Sequence, residues 1–121
     1  EMLTHENTVR VMREAPVVIV VLNTNGKSPF IPVKEDGRIV EQCDALSIGA
    51  SIQNMLLRAQ ELGLGTLWIA NTCFAYQELE TYINTTDQII SAVAVGYPDE
   101  APGQRPRKKI EEIMVKTPFS C

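Results

Sequence analysis

Histidine is almost absent: His5, near the N-terminus, is the only one in 121 residues. That scarcity removes the commonest general base, a leading metal ligand and the usual activator of a nucleophilic serine or cysteine. Cysteine is scarce as well. Cys43, Cys73 and Cys121 are odd in number, widely spaced and form no C-x-x-C pair. Neither a disulfide framework nor a zinc-ligand pattern is written here, and three inert free thiols in a reducing, cytoplasmic compartment are expected. No apolar run reaches the length of a bilayer span, since Val17–Leu22 has the length of a buried strand. Positive charge is also short. The formal net charge of -4 argues against nucleic acid or an acidic membrane surface as partner. The one basic cluster is Arg105, Arg107, Lys108 and Lys109. Asn84-Thr85-Thr86 fits a glycosylation acceptor, a common match without a secretory context.

What is present is one domain's worth of amphipathic pattern. Residues up to Glu14 read as a polar helix, and Ala15–Leu22 as a strand apolar on both faces and therefore central. Asn23-Thr24-Asn25-Gly26 is turn chemistry. From Lys27 to Cys43, Pro29, Pro32 and Gly37 punctuate an irregular surface excursion. Asp44 then stands as N-cap of a helix over Ala45–Leu62.

Along that helix Ala45, Ile48, Ile52, Met55, Leu56, Ala59 and Leu62 form one apolar stripe. Leu46, Ala50 and Leu57 widen it to a second face, and the small run Gly49-Ala50-Ser51 would let another helix approach. Such a helix is buried in a core or in a subunit interface, and replacing Ile52 by Asp is expected to break it. Thr66–Ala70 and Gln88–Val95 read as strands, Gln77–Ile83 and Lys109–Val115 as short helices. The order strand, helix, strand, helix, strand by itself predicts a parallel α/β sheet.

Leu62-Gly63-Leu64-Gly65 closes a helix and opens a strand. A dinucleotide-binding fingerprint has the reverse order, with glycines after a strand and at a helix N-terminus, so a nucleotide-binding regulatory α/β domain is disfavoured. Gly63 is instead the expected helix C′ residue. Gly65 has two readings: close approach of backbone to a ligand, or easing the chain into its strand.

Four words in order resemble the FMN-dependent nitroreductase family. They are Ala15-Pro16 with its valine-rich strand, Ser47-Ile48-Gly49-Ala50-Ser51-Ile52-Gln53-Asn54-Met55-Leu56-Leu57-Arg58-Ala59, Leu62-Gly63-Leu64-Gly65-Thr66-Leu67-Trp68-Ile69, and Gly96-Tyr97-Pro98-Asp99-Glu100 followed by Arg105-Pro106-Arg107-Lys108. The likeness covers about residues 15 to 115. It implies an α+β fold with a mostly antiparallel sheet flanked by helices, replacing the parallel sheet, and a homodimer with the long helix at its interface. Residues 1–121 would form a single nitroreductase-like domain. The family's N-terminal Arg-x-Ser-x-Arg-like and Pro-Ser-x-x-x-Gln-Pro-Trp-like flavin-binding segments do not occur in this sequence. The resemblance therefore implies an N-terminally truncated portion that binds FMN poorly alone.

For function, the resemblance implies a flavin oxidoreductase passing hydride from NAD(P)H through FMN to a nitroaromatic or quinone-like small-molecule acceptor. The alternative is a non-catalytic, dimerising or flavin-sequestering remnant of the fold. Trp68, Ile69 and Ala70 fall where the family passes beside the flavin ring; the other reading of Trp68 is ordinary core. Arg105 and Arg107, Arg107 foremost, match its phosphate-gripping pair, against the reading of a solvated basic loop with Lys108 and Lys109. Gly65 joins them as a cofactor-binding candidate. No residue is assigned as catalytic, because the flavin would carry the chemistry.

Overall fold

The computed structural model describes residues 2–101 and 103–115. Its secondary structure runs α1 (Met2–Glu14), β1 (Val17–Asn23), α2 (Glu35–Glu61), β2 (Gly65–Ile69), a 3-10 turn (Asn71–Ala75), α3 (Tyr76–Ile83), β3 (Gln88–Gly96) and α4 (Ile110–Ile113). The three strands form one sheet in the order β1-β3-β2, and β3 is antiparallel to both neighbours. The fold is thus α+β with an antiparallel sheet. β1 and β2 do run parallel, as a strand-helix-strand unit requires, but β3 is inserted between them, so no parallel pair forms.

β1 is consequently an edge strand among the described residues, not the central one expected. It is apolar on both sides because each face of the sheet carries a helix. Directly opposed residues share a face. Ile69, Ala92 and Ala94 form the core of one face, with Val18, Leu67 and, from α1, Val11 and Met12 packed on it. On the other face Val93, fully buried, stands opposite both Ile19 and Trp68, and α2 lies over them. β3 supplies most of the buried strand residues because it alone has partners on both edges. A bulge at Ile90 shifts the register between Val21 and Leu22.

α2 is 27 residues long and starts ten positions before the expected Ala45. Lys34 stands at its N-cap with no side-chain cap, and Glu35 and Asp36 occupy the first turn, where carboxylates complement the helix dipole. Gly37 is absorbed into that turn, and Asp44 lies mid-helix instead of capping it. The C-terminal end follows the sequence reading. Gly63 has φ +73°, its N–H donates to Gln60 O at 3.1 Å, and Leu64 N–H donates to Ala59 O at 2.9 Å. This is a Schellman closure, which requires the left-handed conformation that glycine adopts without cost.

A polar cluster fastens α2 to the end of the sheet. Buried Asn23 donates from Nδ2 to Gln88 Oε1 at 3.2 Å and to Asp44 Oδ2 at 3.4 Å, and Gln88 Nε2 donates to Glu41 Oε1 at 2.7 Å. Each buried amide thus has a partner, as burial demands. Nearby, the 3% exposed Tyr76 accepts the Ile89 N–H on its hydroxyl at 3.0 Å and packs edge-on against Phe30. α4 is shorter than the expected 109–115 helix and is exposed throughout.

Candidate functional site

The strand after Gly63 gathers four of the six candidate residues. Gly65, Trp68 and Ile69 lie on β2 and Ala70 immediately follows it. β2 is the other edge of the sheet, so alternate backbone N–H and C=O groups point away from β3 and meet no strand among the described residues. Such an edge is a row of free donors and acceptors.

The side chains divide by parity. Ile69 is 4% exposed and turns its side chain into the α1-side core. Trp68 lies on the opposite face, beside α2, where its Cη2 is 3.9 Å from where a Cβ on Gly49 would stand. It is 40% exposed, more than a core tryptophan, and Ala70 is exposed beside it. Gly49 thus faces the indole, while Ala50 and Ser51 face outward.

Gly65 is a point of close backbone approach. A Cβ on it would lie 3.2 Å from Pro98 Cα and 3.3 Å from Pro98 Cβ. The backbone approaches protein there, at the point where the chain leaves β3. Gly96, paired with Gly65, is closer still to Pro16, whose Cδ lies 2.8 Å from an added Cβ. Glycine placement at this corner was visible in the sequence, but its proline partners were separated from it by tens of residues.

Arg105 and Arg107 lie in the exposed segment 103–109 and make no ion pair among the described residues. Two cations without partners are available to an anion, and an Arg-x-Arg spacing in extended backbone presents both on one side. Among the described residues no hydrogen bond joins them to the β2 edge. The segment before them is tied back by Arg10, which donates to Glu100 Oε1 at 3.0 Å as well as to Glu14 and Asn7. The hydrogen bond to Glu100, reinforced by the charge of Glu14, holds the Arg10 pKa above its ordinary value.

Two features were missed from sequence. One is the Asn23–Gln88–Glu41 cluster described above. The other is an open depression of about 620 Å³ between the Lys27–Ile31 loop and α3, with Phe30, Glu80 and Thr85 among its walls. It shares no residue with the β2 edge. Among the described residues no group of three or more His, Cys, Asp or Glu could hold a metal ion, and no helix is long and apolar enough to cross a membrane. Cys43 and Cys73 are free and exposed; Cys121 lies outside the described residues.

Comparison with known proteins brings these features into one frame. A protein from Desulfovibrio desulfuricans described as a putative nitroreductase, crystallised in complex with FMN, is 26% identical and superposes with a TM-score of 0.68 over 89% of this chain. The chain spans 58% of that protein. The nitroreductase family model matches residues 2–97, which takes in all of β2 and ends before Arg105 and Arg107. With that match extending from α1 through β3, the chain belongs to the nitroreductase family.

Proposed function

We propose that this chain forms the β2-edge side of an FMN site in an oxidoreductase of nitroreductase type. The observation that carries the reading is the family match over residues 2–97 together with the FMN-bound relative that superposes on 89% of the chain. The residues present fit such a cofactor chemically. The outer edge of β2 and the residue after it, from Trp68 to Ala70, offers alternate backbone N–H donors to the electron-accepting side of a flavin, where fixed dipoles stabilise added negative charge. Arg107, with Arg105, offers guanidinium donors to the phosphate. FMN, when bound, would take hydride from NAD(P)H and pass it to a nitroaromatic or quinone-like acceptor. The chain's own part is to bind, orient and exclude water.

A homodimer completes the proposal. Ile39, Leu46 and Leu57 lie on one line along the outer side of α2 and are 64%, 69% and 57% exposed. An apolar line of that length on a 27-residue helix is expected to be covered by a second copy. A cytoplasmic, reducing setting remains the expectation from the exposed thiols.

The test is a titration of the chain with FMN and with riboflavin. At saturating FMN it should be yellow and oxidise NAD(P)H when supplied with a quinone. Arg107→Ala should weaken FMN by about one to two decades, from a charged hydrogen bond of about 1.5–3 kcal/mol, and leave riboflavin nearly unchanged. Absence of flavin binding would remove the oxidoreductase reading and favour the non-catalytic one.

A further inference from the structure

The basic pair is useful to a ligand on β2 only if the chain leaves the sheet in a fixed direction, and the exit is built to fix it. β3 ends at Gly96, opposite Gly65, and two prolines close on these glycines. Pro16 Cδ lies 2.8 Å from where a Cβ on Gly96 would stand, and Pro98 Cα, Cβ and N lie 3.2, 3.3 and 3.4 Å from one on Gly65. Two of those three Pro98 atoms are backbone. No side-chain rotation can therefore relieve a methyl group placed at Gly65.

We propose that Gly65 is a positioning residue: its missing side chain forms the seat for Pro98, and that seat sets the path of the segment carrying Arg105 and Arg107. Two other devices act on the same exit. Gly96 admits Pro16 from the start of β1, and Arg10 reaches across from α1 to Glu100 at 3.0 Å. The ion pair is weak, since its side chains are 47% and 65% exposed to water and salt. The steric seat is the stronger constraint, because a well-packed backbone contact cannot be screened. The consequence for FMN rests on the flavin reading above, whereas the path of the segment does not.

Trp68 is the only tryptophan and sits on the same strand as Gly65, so it serves as a fixed ruler. A chain with Cys43, Cys73 and Cys121 changed to Ser, and Lys108→Cys carrying an energy-transfer acceptor, reports the distance from Trp68 to the basic segment. Gly65→Ala should shift and broaden that distance. Pro98→Gly, which empties the seat without touching Gly65, should also shift it, and adding Gly65→Ala to Pro98→Gly should change little more. In the flavin-binding form, Gly65→Ala should weaken FMN about tenfold and riboflavin by less than about twofold. An unchanged transfer efficiency in Gly65→Ala would overturn the proposal. So would equal losses for FMN and riboflavin, which would make Gly65 a contact to the flavin ring. If the wild-type protein binds neither flavin, the functional reading fails while the transfer measurement still decides the role of Gly65.

Discussion

The two sides of α2 are chemically alike and structurally opposite. On the inner side Ile52 is 1% exposed and Ala59 7%, pressed toward β1 and β2; on the outer side Ile39, Leu46 and Leu57 are all more than half exposed. The same apolar character is satisfied within the protomer on one side and left bare on the other. Core and interface are alternatives for the whole helix in sequence; the core is the inner face, and the outer face is the one proposed for the interface. Ile52 belongs to the core face, so an Asp there reports on folding and not on assembly.

The largest expected effect breaks the inner face. Ile52→Asp buries a charge with no partner and should cost about 4 kcal/mol or more, a large part of the 5–15 kcal/mol typical of a domain. Urea denaturation followed by far-UV circular dichroism should show an unfolded or barely folded chain. The corresponding change on the outer face should leave the fold intact. Leu46→Glu with Leu57→Glu should shift unfolding by no more than about 0.5 kcal/mol per site while weakening self-association about a hundredfold. Sedimentation velocity at micromolar concentration distinguishes the two, and a wild-type chain that is already monomeric there would remove the outer face from the dimer proposal.

How much of this was legible beforehand depends on whether the signal was local. Gly63 was readable because a helix C-terminus is closed by backbone within five residues of it, from Ala59 to Leu64. The strands were readable from their valine and isoleucine content. The start of α2 was not, because residues 35–44 contain Gly37 and mostly polar side chains, and the helix is held there by Asn23 and Gln88 from distant strands. The place of β3 between β1 and β2 is equally non-local: it decides that β1 is an edge, and no period in β1 records it. In the site, the Gly65–Ala70 strand and the Arg105-x-Arg107 spacing could be picked out through the family resemblance. The Pro98 seat could not, since a contact between positions 65 and 98 has no sequence signature.

A third prediction sets the buried polar end of the sheet against the apolar faces. Tyr76→Phe leaves the Ile89 N–H without its acceptor and should cost about 1–3 kcal/mol. Burial pushes the Tyr76 phenol above its ordinary pKa, partly countered by the Ile89 and Ser28 hydrogen bonds. The unfolded phenol therefore ionises first. Wild-type stability is fully present below about pH 10 and is lost as pH rises from there through the folded pKa. Tyr76→Phe should flatten that alkaline decline, measured as unfolding free energy between pH 8 and about pH 11.

The smallest effect lies at the boundary between the two faces of α2. Gly49 is mid-helix, where glycine costs about 0.5–1 kcal/mol relative to alanine, and its open side meets the edge of the Trp68 ring. An added Cβ would lie 3.9 Å from Trp68 Cη2, an ordinary contact distance. Gly49→Ala should therefore stabilise the protomer by roughly the propensity difference, 0.5–1 kcal/mol. The measurement pairs urea denaturation with Trp68 emission, which should scarcely move. If Gly49 instead serves to let a second helix approach, the same variant should weaken self-association while the monomer gains stability. The effect on assembly assigns Gly49 to the inner face or the outer one: gain in fold with assembly unchanged places it with Ile52, and gain in fold with loss of assembly places it with Leu46.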